Sequence, residues 1–278
     1  MRQSVIVGVD RSTRSRAAAD WAALEALRRG HVLKVVHVSP LSADELAGLW
    51  PYRQVPLPAP VVAELAGRHP RLRVEGVRLS GPVVPTLLGE AASAGLVVLG
   101  TRGAGGFAGL TLGAMSLAVA EACTRPVVLV PSGLASNHTG PRPDKVTLGV
   151  DARDPDDAAI DFAFDAARRK KARLHVVHAW ALSSPAADRM PSALPEKDRA
   201  QWRDREAQLL SDALRPWHDK YLDVPVLKDV VPHSPAEALV RASLRAELLV
   251  VGRRGGTLGS AVDALAHHTR CPLAVVPG

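Results

Sequence analysis

The sequence predicts an α/β protein built from two doubly wound, open parallel sheets, one in each half of the chain. Three observations carry this. The 278 residues repeat themselves: Val5-Ile6-Val7-Gly8-Val9-Asp10 matches Val146-Thr147-Leu148-Gly149-Val150-Asp151 at an offset of 141. Short Val-rich runs alternate with longer stretches of helical period, the pattern of strand–helix crossovers. Apolar residues make up 47% of the chain but aromatic ones only 4%, so the cores are built from Val, Leu, Ile and Ala. That composition suits parallel strands covered by helices on both faces.

Taken in order, the first half opens with a strand at about residues 4–10. A helix follows at about 13–29, where Ala17, Trp21 and Leu24 form an i, i+4, i+7 stripe. A strand is expected at about 32–38, then a Pro-rich, partly helical stretch over 40–70. Further strands are expected at about 71–79, 96–100 and 127–130, with helices at about 83–94 and 113–123 between them. The second half repeats the scheme: Val35-Val36-His37 matches Val176-Val177-His178, and Val98-Leu99-Gly100 matches Val250-Val251-Gly252 at an offset grown to 152. The growth places 11 extra residues between the second and fourth strands of the second half, where a helix is expected near 198–215. The offset then falls to 146, pairing Pro126 and Pro131 with Pro272 and Pro277. Two copies of about 140 residues, each large enough for its own core, indicate duplicated domains. The expected division is 1–131, a Gly-, Pro- and Ser-rich linker at 132–144, and 145–278.

Bulk properties narrow the function. The net charge of +7, from 35 basic and 28 acidic residues, fits an anionic ligand or an arginine-rich solvated surface. No basic stripe interleaved with aromatics and no helix-turn-helix pattern occurs, so nucleic-acid binding is not expected. Cys123 and Cys271 do not occupy matching positions and lack metal-ligand spacing, which points to buried free thiols in a reducing compartment. The N-terminus runs straight into a strand, and no 18-residue apolar run follows, so a cytoplasmic protein without a membrane span is expected.

The glycines after the fourth strand carry the chemistry. Gly100-Thr101-Arg102-Gly103 is followed, after nine residues, by Gly113-Ala114-Met115-Ser116 and a helix. Glycine lets the backbone approach an anion and reach positive φ, consecutive N–H groups form an anion-binding nest, and the helix N-terminus adds its free N–H groups and dipole. Ser116 offers a hydroxyl. Arg102 either screens phosphate charge or is a solvated arginine. In doubly wound sheets, ligands bind at the carboxyl ends of strands where strand order reverses.

In this spacing, Gly-x2-Gly-x9-Gly, the chain resembles the universal stress protein family and its ATP-binding pattern. Asp10 ending strand one, Val-His-Val ending strand two and the Pro-Val-x-x-Val-Pro last strands extend the resemblance over nearly the whole chain. It implies a fold of five parallel strands per domain, of the adenine-nucleotide alpha-hydrolase-like type, with ATP and a divalent ion such as Mg2+ in the cleft. By this resemblance Val9, Asp10 and Val38 lie near the adenosine, while Gly100, Gly103, Gly113, Ala114, Met115 and Ser116 hold ribose and phosphates. It also implies an internal pseudo-dimer, with the last strands Val127–Val130 and Leu273–Val276 edge to edge, and a homodimer as a further possibility. One departure stands out. The family's Ser or Thr after the last glycine is Ala114 here, which removes one hydroxyl donor.

The second half departs differently. Gly252-Arg253-Arg254-Gly255 and Gly259-Ser260 keep both ends of the pattern, but only three residues separate them. Those span at most about 14 Å, so the loop cannot follow the family's usual path, but Gly252, Gly255, Gly259, Ser260, Arg253 and Arg254 remain candidates for binding a phosphate. Asp151 matches Asp10. Both acids either face the cleft or cap the following helix. His37 and His178, at matching strand ends, are read as hydrogen-bonded structural residues, and His267-His268 as a helix C-terminus. Asp154, Asp156 and Asp157 are read as caps around Pro155 rather than as a metal cluster. Gly103-Ala-Gly105-Gly-Phe-Ala108 imitates a dinucleotide fingerprint but follows the wrong strand.

No Walker lysine, nucleophile elbow or paired catalytic carboxylates occur, so a dedicated enzyme is not expected. Three functions compete. The first is a regulator that binds adenine nucleotide in its first half, which the glycine spacing favours. The second is an interaction protein whose clefts are vestigial or hold another small anion. The third is a slow ATPase or phosphotransferase.

Overall fold

The computed structural model describes residues 3–10, 12–40, 58–101, 113–131, 145–180, 196–255 and 257–278. The expected linker at 132–144, most of the Pro-rich stretch, Arg102 and Gly103 lie outside them. The chain divides into two compact units, Met1–Gly140 and Pro141–Gly278.

In unit 1 the strands are β1 (Ser4–Gly8), β2 (Val32–Ser39), β3 (Val74–Ser80), β4 (Leu96–Gly100) and β5 (Val127–Val130). The helices are α1 (Thr13–Arg29), α2 (Ala59–Arg68), α3 (Val83–Ala91) and α4 (Ala114–Ala122). All strand pairs within the unit are parallel, in the order β3-β2-β1-β4-β5. Strand order therefore reverses between β1 and β4, which pair Val7 with Val98. Val5, Ile6, Val7, Val97 and Val98 are wholly buried, because helices cover both faces of these central strands. The ends of α1 follow local rules. Ser12 caps its start, accepting the Ser15 N–H at 3.2 Å, and Gly30 ends it at φ 64°, a conformation glycine enters without steric cost.

Unit 2 repeats the design with β6 (Lys145–Gly149), β7 (Arg173–Ala179), β8 (Val226–Val231), β9 (Leu248–Arg253) and β10 (Leu273–Pro277). Its helices are α5 (Asp157–Lys170), α6 (Glu196–Lys220), α7 (Pro235–Ser243) and α8 (Ser260–His268). The order within the unit is β8-β7-β6-β9-β10, again all parallel. The glycine ending strand one has the same use in both units. A Cβ on Gly8 would lie 2.6 Å from Leu99, and one on Gly149 would lie 2.5 Å from Leu239. Each glycine thus lets a leucine close over the end of its central strand.

The extra length of unit 2 forms α6, which has 25 residues where α2 has 10. It continues through Pro216, five residues beyond the expected end. A proline inside a helix typically costs about 3 kcal/mol. Packing beyond it compensates: the Tyr221 ring stacks on Phe164 at 5.4 Å and its hydroxyl donates to Asp161 at 2.8 Å. Leu210 and Leu214, about three and two turns before Tyr221, are fully buried.

Candidate functional site

In each unit the carboxyl ends of the first, second and fourth strands meet the N-termini of helices, and the candidate residues gather there. In unit 1, Val9 is buried and donates its N–H to the Val36 carbonyl at 2.8 Å. Asp10 is turned onto its own loop, where Oδ1 accepts the Ser12 N–H at 2.9 Å and the Ser12 hydroxyl at 2.5 Å. Ser15 closes the turn by donating to the Asp10 carbonyl at 2.9 Å. Val38 is half-buried at the end of β2, in register with Leu79.

Gly100 ends β4. The Thr101 N–H goes to the Val130 carbonyl at 3.0 Å, and the Gly113 N–H goes to the Thr101 carbonyl. The two ends of the glycine loop are thereby joined, and α4 starts beside the end of β4. Ala114 and Met115 form its exposed first turn, where backbone N–H groups have no intrahelical acceptor. Two sequence expectations change here. Gly113 has φ −81° and ψ 135°, so it needs no positive φ. Ser116 is buried and donates its hydroxyl proton to the Gly100 carbonyl at 2.8 Å, so it ties the loop to the strand rather than offering that proton to a phosphate.

Unit 2 has a half-open cavity of about 450 Å³ at the corresponding strand ends, between the ends of β6, β7 and β9 and the starts of α5, α7 and α8. That lies in the size range of small-molecule pockets. Val150, Val177, Leu239, Val251, Val262 and Leu265 supply apolar wall. Asp151 repeats the turn of Asp10, its Oδ1 accepting the Arg153 N–H at 3.0 Å. Both acids thus accept turn hydrogen bonds, but neither caps the following helix, a role that falls to Ser12 and Asp156, while Asp151 also lines the cavity. Gly259 caps α8 with extended backbone, and a Cβ there would meet nothing within 4 Å. Ser260 is exposed at the first position of that helix and stands apart from the cavity wall. Gly255 makes the tight turn at φ 64°.

The expectation for Gly252 also changes. A Cβ on it would overlap Oδ2 of Asp156, so the glycine leaves room for a carboxylate of the protein itself. Asp156 is the N-cap of α5: Oδ1 accepts the Ala159 N–H at 3.0 Å, while Oδ2 finds no donor among the described residues. Neither arginine is presented to a ligand as the sequence suggested. Arg253 is buried and donates to the Gly255 carbonyl at 2.9 Å. Arg254 pairs with the Asp154 carboxylate and also donates to the Asp154 carbonyl. A phosphate charge about 4 Å from the Asp156 carboxylate would be repelled by about 4 kcal/mol at an effective dielectric of 20.

The histidines fit the structural reading. His37 Nδ1 lies 2.9 Å from the Val9 carbonyl, and His178 Nδ1 lies 3.1 Å from the matching Val150 carbonyl. His178 has a partner that sequence reasoning missed. Glu206, on α6, brings Oε2 to 3.0 Å from His178 Nε2, both side chains being 1% exposed, and its Oε1 pairs with Arg153. No sequence pattern marks Glu206, one of many charges along a polar helix. His267 faces Asp263 within α8 at 3.8 Å. Both cysteines are buried and outside any disulfide, and burial pushes the Cys271 thiol up to about 12. Among the described residues, no group of three His, Cys, Asp or Glu side chains is placed to hold a metal ion. No described helix is long and apolar enough to cross a membrane.

Comparison with known proteins agrees with this architecture. The sequence model of the universal stress protein family matches twice, over residues 1–131 and 143–277. The universal stress protein Rv2005c of Mycobacterium tuberculosis is 34% identical over 292 residues, covering 99% of this chain and 97% of its own length. Rv1996 of the same organism is 32% identical over 311 residues, covering 98% and 94%. Among solved structures, a universal stress protein from Archaeoglobus fulgidus superposes with a TM-score of 0.70 at 16% identity, covering 99% of this chain and 96% of that one. A likeness at that identity speaks to the fold.

Proposed function

The chain belongs to the universal stress protein family as a tandem member, and on that premise we propose that it is a regulator that binds adenine nucleotide in the strand-end cleft of unit 1. ATP accompanied by Mg2+ is the specific form of this reading. The observation that carries it is the contrast at one matched position. Where unit 2 holds the Asp156 carboxylate against Gly252, unit 1 has Ser15, buried and neutral, whose hydroxyl bonds to the Asp10 and Ser12 carbonyls.

The residues of unit 1 fit a phosphate group. Gly100 and Gly113 bracket the loop, and the first turn of α4 directs unshared N–H groups and the positive end of the helix dipole outward. Ala114 contributes a backbone N–H but no hydroxyl. The bound Mg2+ would offset phosphate charge. Ser116, by tying Gly100 to α4, would keep the strand end and the helix N-terminus in fixed relation. In this reading nucleotide occupancy biases a loop or a surface that partners recognise, and any hydrolysis is slow.

Mass spectrometry of ligand released from the purified protein, with calorimetric titration of ATP, tests the proposal. Adenine nucleotide should be released, or ATP should bind. Gly113→Val should abolish that binding, and the extended backbone at Gly113 accepts valine without φ strain. A wild-type protein that releases no nucleotide and shows no ATP binding would overturn the reading in favour of an interaction protein with vestigial clefts.

A further inference from the structure

We infer that Met115 is an oxidation site, and that its sulfoxide weakens the hold of unit 1 on phosphorylated ligands. The inference rests on the reading of unit 1 as a nucleotide site, and it adds a regulator of that site, an oxidant of the peroxide class.

Position carries the first part of the argument. Gly113 and Gly259 are the N-caps of α4 and α8, so the two helices begin in the same phase. At the offset of 146, Met115 matches Ala261, the second residue of α8. Ala261 lines the half-open cavity of unit 2. The matched position in unit 1 therefore faces the corresponding strand ends, and there it carries a long thioether in place of a methyl group. A helical side chain leans back over the turn N-terminal to its own Cα. For the second residue of a helix that turn is the N-terminus itself, so the thioether leans towards the unshared N–H groups of α4.

Exposure carries the second part. Met115 is 38% exposed, while Val119 and Ala120 of the same helix are buried. Cys123 and Cys271 are each 2% exposed, and burial also disfavours the reactive thiolate of Cys271. An oxidant arriving from solvent therefore reaches the Met115 sulfur more readily than either thiol.

The chemistry is a two-electron oxygen transfer. A sulfur lone pair attacks one oxygen of hydrogen peroxide, an S–O bond forms and the O–O bond breaks. The departing hydroxide takes the proton left on the new sulfoxide oxygen and leaves as water. Sulfur is oxidised and peroxide is reduced, with no further reactant. The product replaces a soft apolar group by a polar acceptor. At a helix N-terminus that oxygen takes up N–H groups a phosphate would use, and it puts partial negative charge where the ligand's own charge sits. Ala261 offers no sulfur at the matched place, so the effect belongs to unit 1.

Calorimetric titration of ATP into the full-length protein, before and after hydrogen peroxide treatment, tests the inference together with peptide mass spectrometry of the same samples. The peptide holding Met115 should gain one oxygen, and ATP present during treatment should slow that gain. ATP affinity should then fall by about tenfold, the scale of one hydrogen bond to a charged oxygen. Met115→Leu is compared with its own untreated sample. Its ATP affinity should not respond to peroxide, although it retains Met1, Met190 and both cysteines. Met115→Gln, which sets a permanent polar acceptor at the position, should bind ATP more weakly than Met115→Leu without any treatment. The inference is overturned if Met115 stays unoxidised in the folded protein, if its sulfoxide leaves ATP affinity unchanged, if treated Met115→Leu loses affinity as the wild type does, or if the Gln and Leu variants bind alike. Each of those results leaves the reading of unit 1 standing. An untreated wild-type protein that takes up no ATP would instead strike that reading, and this inference with it.

Discussion

His178 Nε2 and Glu206 Oε2 lie 3.0 Å apart with both side chains 1% exposed, which fastens the inserted helix α6 to the end of β7. The other oxygen of Glu206 holds Arg153, in the loop that forms one rim of the unit 2 cavity. One buried carboxylate thus links the extra helix, a central strand and the rim of the candidate site. Removing one partner from such a pair leaves the other buried without compensation, which is typically worth about 3–5 kcal/mol. Glu206→Ala is expected to lower stability by about 3 kcal/mol, while Glu206→Gln, which retains an acceptor for the imidazole, should cost about 1 kcal/mol. Urea denaturation of both variants checks this, and equal losses below about 0.5 kcal/mol would contradict it.

Gly149 and Leu239 make a similarly close pair. A Cβ at Gly149 would sit 2.5 Å from Leu239 Cδ1 and 2.9 Å from Cδ2, closer than packed atoms tolerate. Gly149→Ala should therefore destabilise the chain by about 1–3 kcal/mol through overpacking. Adding Leu239→Ala should recover part of that loss, so the double variant is more stable than the sum of the single effects. An additive cycle would show that the leucine moves aside freely.

His175 makes stability depend on pH. Burial lowers its pKa below the ordinary 6.5, against the opposing pull of Asp229, whose Oδ2 is 3.4 Å away. The folded chain favours neutral imidazole, so the unfolded chain takes up the proton first as pH falls. The stabilising contribution is complete above about 6.5 and is lost as pH drops from there towards the lower folded value. His175→Gln should flatten the fall in urea midpoint between pH 7.5 and 5.5. An unchanged slope would place the titration elsewhere.

Ala114 offers the most direct test of ligand orientation in unit 1. It is exposed at the first position of α4, where a serine hydroxyl would point with the free N–H groups. If phosphates lie there, Ala114→Ser should tighten ATP by about tenfold or more, the usual worth of a hydrogen bond to a charged oxygen. Calorimetry that finds no gain would mean that this position does not face phosphate.

The amino-acid order was enough to establish the duplicated fold, the sequence of strands and helices, and the placing of Gly100, Gly113, Gly252 and Gly259 at the strand-four corners. Those features follow from near neighbours along the chain: burial periodicity, the offset between repeats and the turn chemistry of glycine and proline. The neighbours of those glycines were not legible in the same way. Nothing near Gly252 in sequence indicates that Asp156, 96 positions earlier, lies against it, that Arg254 is matched by Asp154, or that Glu206 reaches His178. Asp156 caps α5 as expected, and its second carboxylate oxygen also lies against Gly252 at the corner of a cavity. Such contacts arise only when the sheet brings distant strand ends to one edge.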